Sequence, residues 1–313
     1  MRPTLIDLAG LQFHAYPVML AVAFLVCVTL AVRECLRADP PINATTKGGI
    51  WIFIGALFGA KLFWHIQFTD PEKLAENPLI LLNAFLLWRG GLVYYGGLAG
   101  GMAGAVLYLA VNRLPILRVA DIGGPYLALG QGITRIGCFL NGCCWGKVAG
   151  EHVPWAVQFP HDSLAYRQQI EDGLIKRTPE NLSLPVHPTQ LYMVVGLLSI
   201  AVLLKFLLDR KDRLFAFHGG IALLYLLFYG VLRFVVEEFR GDSAESVLDM
   251  TLSQTISLGL VVFAVAALVL PRALNVQHRE PTTEPAEALA EDAPEEEEPG
   301  KPTSEATAET PEE

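Results

Sequence analysis

Four short stretches hold the residue types best suited to chemistry. "RFVVEEFR", residues 233–240, puts Glu237 four residues after Arg233 and Arg240 three residues later. On a helix these three side chains form one stripe. "RIGCFLNGCCWG", residues 135–146, contains Arg135, Asn141 and three of the chain's five cysteines. "RGGLVYYGGLAGG", residues 89–101, joins Arg89, Tyr94 and Tyr95 to a run of glycines, and "HPTQLY", residues 187–192, supplies His187, Gln190 and Tyr192. Guanidinium groups grip phosphate oxygens in pairs, so several arginines around one site point to a bound phosphate. The competing reading is an intrahelical ion pair with interfacial arginines reaching back toward water. In "HPTQLY", Pro188 pre-sets a turn, Thr189 can cap the helix that follows, and Gln190 and Tyr192 place polar groups at an interface. Tyr16, beside Pro17, fits an interfacial aromatic belt. Cys138, Cys143 and Cys144 have C-x4-C-C spacing. Zinc sites pair C-x2–4-C elements and thiol oxidoreductases use C-x-x-C. Neither pattern is present, and small apolar packing or a non-catalytic disulfide is expected instead.

The elements that must position these residues are membrane helices. Of 313 residues, 52% are hydrophobic and only 18% charged, where a soluble domain carries about 25% charged. The apolar residues fall in runs near the roughly 20 residues that a bilayer core requires. Seven spans are predicted: Phe13–Val32, Gly48–Ile66, Gly90–Val111, Val119–Ile136, Gln190–Leu208, Phe217–Val236 and Thr251–Leu270. Ile80–Leu87 is too short to span and reads as a re-entrant or interfacial piece. Gly55 with Gly59, and Gly96, Gly97, Gly100, Gly101 and Gly104, give the small-residue spacing that lets helices touch closely. The fold class is therefore an all-α polytopic membrane protein of about seven helices, with Gly137–Thr189 as a small outer cap. No cleavable signal pattern or internal repeat is evident.

Charge sets the expected direction. Arg33, Arg37 and Lys47 follow the first span, Arg113 and Arg118 the third, Lys205, Arg210, Lys211 and Arg213 the fifth, and Arg272 and Arg279 the seventh. Basic loops stay cytoplasmic, so the N-terminus is expected outside, together with Asp70–Glu76 and the outer ends of the spans that carry Arg89, Arg135 and Arg233. Residues 280–313 contain thirteen acids against Lys301 alone, so the net charge of −9 leaves the rest of the chain at +3. This Pro-, Glu- and Ala-rich stretch has too little apolar surface to fold and reads as a disordered cytoplasmic tail. The expected division is 1–275 as a membrane domain and 276–313 as tail.

With these motifs in view, the chain resembles the prolipoprotein diacylglyceryl transferase family from about Ala15 to Leu270. Its most specific motif, G-R-x-G-N-F-x-N-G-E-x-x-G, is similar to "TRIGCFLNGCCWG", with Arg135, Gly137, Phe139, Asn141, Gly142 and Gly146 in place. Cys138 and Cys143 stand where the family has asparagine and glutamate. "YYGGLAGG" looks like the family's F-H-G-G-L with Tyr95 for histidine, and "HPTQLY", "RFVVEEFR" and Tyr16 also match.

The resemblance implies that a diacylglyceryl group passes from phosphatidylglycerol to the lipobox cysteine thiol of a preprolipoprotein, without metal or redox cofactor. It places the protein in the bacterial inner membrane. It implies Arg135, Arg233, Glu237, Tyr95 and Tyr16 as catalytic residues. Asn141, Gly137, Gly142, Gly96, Gly97, Arg89, His187, Gln190 and Arg240 are the implied substrate-binding set. Arg135 and Arg233 would hold phosphate, Asn141 would orient the headgroup, and Glu237 would fix an arginine. Tyr95 would occupy the place of a suggested base. Tyrosine ionises near pH 10 and is a poor base at neutral pH, so the arginine field, His187 or Tyr16 is left to favour the thiolate. The partners are lipid and lipoprotein substrates, with nothing pointing to nucleic acid or an oligomer. A different lipid-headgroup role, a thiol oxidoreductase and a transporter are the alternatives.

Overall fold

Long apolar runs become long helices because lipid offers the backbone no hydrogen-bond partner and each amide must be satisfied within its own segment. The computed structural model describes residues 4–8, 11–69, 91, 93–150, 152–161, 163–176, 182–210, 217–241, 245–247 and 250–273; within these, side chains are described for 14–69, 91, 93, 96–241 and 250–270 where placed. Among the described residues the helices are α1 (Ala15–Arg37), α2 (Lys47–Phe68), α3 (Tyr94–Val111), α4 (Ile116–Asn141), α5 (Leu164–Glu171), α6 (Thr189–Leu208), α7 (Gly220–Glu237) and α8 (Leu252–Ala273). Two small antiparallel hairpins join them, β1 (Thr4–Leu8) with β2 (Leu11–His14) and β3 (Glu245–Val247) with β4 (Met250–Thr251). Five helices, α1, α2, α6, α7 and α8, are long and apolar enough to cross a membrane. Their outward faces carry Leu25, Phe53, Ile54, Val195, Val202 and Val262, all strongly exposed, as lipid contact demands.

The helix bounds differ from the apolar runs where polar chemistry intervenes. Phe13 and His14 belong to β2, so α1 starts at Ala15 and continues through the polar Arg33 and Glu34 to Arg37. The last turns of α4 pass through Gly137 to Asn141, five residues beyond the expected end at Ile136. Gly137 therefore lies inside a helix. The predicted piece Ile80–Leu87, the loop Asp70–Glu76, Arg89, and the 280–313 stretch lie outside the described residues.

Glycine sets the closest contact. α2 packs along α3, and a Cβ added at Gly100 would sit 2.1 Å from the Gly55 carbonyl oxygen. At Gly59 it would sit 2.3 Å from the Gly96 oxygen, and at Gly96 2.3 Å from the Gly59 oxygen. No side chain fits there, and the backbones touch.

The other helices build a second contact group. α4 packs against α1, α6 and α7, and α7 packs against α8. Its core includes Cys35, Ile122, Ala128, Leu204, Ile221 and Tyr225. One buried charge pins this group together. Asp121, on α4, is 2% exposed and accepts hydrogen bonds from the Gly219, Ile221 and Ala222 amides at 2.8, 2.9 and 3.1 Å. Those amides are the orphan donors at the start of α7, whose own cap residue Gly219 (φ +100°) has no side chain. A carboxylate from a neighbouring helix does the capping, and the positive end of α7 favours its charge.

Between α4 and α6 the chain forms a compact segment around Trp145, Phe159, Ala165 and Val186. Phe159 is fully buried, its amide donates to Ser183 Oγ at 2.8 Å, and Ser163 caps α5 by accepting from the Tyr166 amide.

Candidate active site

Three segments meet at the end of α4. Gly142 takes a left-handed conformation (φ +71°), its amide donates to Phe139 O, and the Cys143 amide donates back to Cys138 O at 3.2 Å. This six-to-one closure is a Schellman motif, for which glycine is the unstrained residue. It reverses the chain so that residues 143–147 run beside α6 and the end of α7.

Main-chain atoms fix that reversal. Gln190 Nε2 donates to Cys143 O at 2.8 Å, and Thr189 Oγ1 donates to Cys144 O at 2.7 Å. The Gly146 amide donates to His187 O (3.0 Å), the Lys147 amide to Phe239 O (2.7 Å), and the Gly241 amide to Trp145 O (3.1 Å). Only glycine fits at 146, where a Cβ would lie 2.5 Å from His187 O and 2.7 Å from Phe239 O. Thr189 thus serves the loop carbonyl. It was expected to cap α6, whose cap residue is Pro188 without a side-chain bond.

Here a narrow cleft opens, lined by Arg135, Cys144, Thr189, Gln190, Met193, Arg233, Val236 and Arg240. Glu237 is the carboxylate among the arginines, its side chain 2% exposed, with Oε2 at 2.8 Å from Arg233 Nη2 and 3.6 Å from Arg240 Nη1. Arg233 and Glu237 pair across one turn of α7 as the spacing predicts, whereas Arg240 lies beyond the helix end at Glu237 and reaches the same carboxylate from the segment bridged to Gly146. Glu237 Oε1 accepts from Thr251 Oγ1 at 3.1 Å, and Arg233 Nη2 donates to Ser253 Oγ at 3.0 Å. Thr251 also opens α8 in a capping box: its Oγ1 accepts from the Gln254 amide, while its own amide donates to Gln254 Oε1. The pattern "TLSQ" carries the capping signal, whereas nothing in it marks Thr251 or Ser253 as neighbours of Glu237 and Arg233.

Arg135 makes no ion pair or hydrogen bond among the described residues. Three guanidinium groups against one carboxylate leave the cleft with two positive charges. Gln190 is 1% exposed, and its Oε1 has no hydrogen-bond partner. The cleft therefore offers guanidinium donors for an oxyanion next to one unused amide acceptor.

The remaining expected residues fall around this cleft in different ways. Tyr16 is in the first turn of α1 within electrostatic reach of Arg135. Gly137 lies against it, with a Cβ there 3.2 Å from Tyr16 Cα and 2.9 Å from Met19 Cβ, so that glycine lets α1 approach α4. Asn141 is the last residue of α4, at the reversal that carries Cys143. His187 Nδ1 meets Tyr192 Oη at 3.0 Å, and Trp155 Nε1 donates to the same hydroxyl at 2.7 Å. Gly96 is taken up by the contact with α2, and Gly97 lies at ordinary distance from Ala56 and Ala60. Arg89 and the side chain of Tyr95 lie outside the described residues. Cys144, expected from spacing to pack or to join a non-catalytic disulfide, is a free thiol that lines the cleft.

Comparison with known proteins gives a consistent result. The family model described as prolipoprotein diacylglyceryl transferase matches residues 3–270. A phosphatidylglycerol–prolipoprotein diacylglyceryl transferase of Clostridium tetani (strain Massachusetts / E88) is 32% identical over 265 residues, covering 85% of this chain and 96% of the relative. Proteins of the same name from Proteus mirabilis (strain HI4320) and Synechococcus elongatus are 29% and 30% identical, each covering 85% of this chain and 90% and 86% of the relative.

Proposed function

The chain belongs to the prolipoprotein diacylglyceryl transferase family, and on that premise we propose that the arginine cleft holds the headgroup of its lipid substrate. The enzyme moves the diacylglyceryl group of phosphatidylglycerol to prolipoprotein. In the reaction as read here, the lipobox thiolate attacks the glycerol carbon that bears the phosphate. A C–S bond forms, the C–O bond breaks with its electron pair, and glycerol 1-phosphate leaves.

The observation that supports this placement is the pairing of excess positive charge with an unused acceptor. Arg135, Arg233 and Arg240 supply donors for a phosphodiester and for the extra negative charge on its departure. Gln190 Oε1 is an acceptor for a hydroxyl of the glycerol headgroup. Arg135, with no ion pair among the described residues, is the guanidinium most available to phosphate, while Glu237 holds Arg233 and Arg240. Asn141, at the end of α4 beside the reversal, is placed to orient the headgroup. Tyr16 and His187 are the candidates to steer the thiol proton, with Tyr95 as a third.

In this reading α3 and α4 also cross the membrane, giving seven spans. The segment around Trp145 and Phe159 caps the outer face, the N-terminus is outside, and 276–313 is a cytoplasmic tail of a bacterial inner-membrane protein. The test is transfer from phosphatidylglycerol in mixed micelles to a lipobox peptide, read as thioether mass. Arg135→Ala and Arg233→Ala are each expected to lower the rate about 100-fold or more, the scale of a lost oxyanion donor. If both retain near-normal rates, the cleft is not the headgroup site. Reporter fusions after the N-terminal hairpin and at the C-terminus test the direction.

A further inference from the structure

Three of the five cysteines converge at the end of α4, and one of them, Cys144, lines the cleft. The Sγ atoms of Cys138, Cys143 and Cys144 all lie within 4.8 Å of one another, and all three are free thiols. The sequence spacing conceals this grouping. Cys138 is in the last turn of α4, and the left-handed Gly142 folds the next two cysteines back over it. Cys144 is itself held at φ +61°, a left-handed conformation that disfavours a residue with a side chain. The other thiols are accounted for elsewhere: Cys27 Sγ donates to Tyr126 O at 2.9 Å, and Cys35 lies in the apolar core.

We propose that Cys138, Cys143 and Cys144 form a site for one thiophilic d10 cation of the Zn2+ class, with its fourth position open toward the cleft. Tetrahedral Zn–S bonds of about 2.3 Å require sulfur atoms roughly 3.8 Å apart, so the thiols need to close by about 1 Å. Soft thiolates select such ions over Mg2+ or Ca2+. On binding, three S–H protons pass to solvent and three S–metal bonds form, with no change of oxidation state. Three thiolates around a divalent ion leave one negative charge, and Arg135 and Arg240 lie within electrostatic reach of Cys144 to offset it. The proposal stands apart from the headgroup reading, because it is tested by binding whether or not the enzyme turns over.

The experiment uses the full chain in detergent micelles, reduced and stripped of metal. Zn2+ is competed against a chromophoric chelator, and Cd2+ is added as a probe of thiolate-to-metal absorption. One equivalent is expected to bind with proton release. Cys138→Ser, Cys143→Ser and Cys144→Ser should each weaken binding roughly tenfold or more, and Cys27→Ser should not. In the unaltered protein, Zn2+ should protect these three cysteines from N-ethylmaleimide, as mapped by mass spectrometry. That second measurement holds even if a serine variant misfolds. Absence of saturable one-equivalent binding, unchanged alkylation of the three thiols, or a disulfide among them whose reduction restores no binding would overturn the proposal.

Discussion

Glu237 offers the sharpest energetic test. Its carboxylate is 2.8 Å from Arg233 and 3.6 Å from Arg240, with both guanidinium side chains mostly buried. At an effective dielectric near 20, these separations give about 6 and about 5 kcal/mol of gross attraction. Most of that offsets the desolvation of the three charges. What can be measured is the cost of stranding a partner, about 3–5 kcal/mol for a buried pair. Glu237→Gln keeps the shape and the acceptor for Thr251 while removing the charge, so it isolates this cost. Arg233→Met removes the closer base. Unfolding in mixed micelles, followed by tryptophan fluorescence, gives the stability of both variants and of the double variant. Glu237→Gln should lose about 3 kcal/mol, and the double variant should lose about 2 kcal/mol less than the sum of the singles. Additivity within about 0.5 kcal/mol would mean the two groups do not interact, and the picture of Glu237 as the anchor of the arginine stripe would be refuted.

Three further outcomes follow from the packing. Gly100→Ala should destabilise the α2–α3 contact by about 2 kcal/mol or more, since its Cβ would meet the Gly55 carbonyl at 2.1 Å; Gly123→Ala, with nothing within 4 Å, should be neutral or stabilising by up to about 1 kcal/mol in the same unfolding assay. Asp121→Ala strands the first amides of α7 and should lose about 3–5 kcal/mol, whereas Asp121→Asn should recover part of this because its amide oxygen still accepts. Gly146→Ala pushes against backbone on two sides and should lower transfer at least tenfold while far-ultraviolet circular dichroism stays helical.

The helices and the arginine stripe were legible because their causes are local. Apolar runs of bilayer length place α1, α2, α6, α7 and α8, and the i, i+4 offset places Arg233 beside Glu237, while Arg240 joins them from beyond the helix end. Helix ends were less legible. α4 runs on to Asn141 because Gly142 supplies the left-handed closure five residues beyond the apolar run, and helix α7 starts at Gly220 because Asp121, far away in sequence, satisfies its first amides. The site shows the same divide. Gln190 and Thr189 read as a helix start, yet their partners are carbonyls 47 and 45 residues away. The cysteine cluster needs one backbone reversal that spacing rules for metal ligands do not include.

The stitches that hold residues 143–147 have a consequence for how such a site can evolve. On the loop side every one of them uses a carbonyl or an amide, at Cys143, Cys144, Trp145, Gly146 and Lys147. Their geometry is therefore indifferent to which side chains the first two of those positions carry. Cysteine can stand at 143, where the motif it resembles has glutamate, with its carbonyl and amide bonds in place. The glycines preserve the shape, and the neighbouring side chains are left free to drift toward new chemistry one substitution at a time.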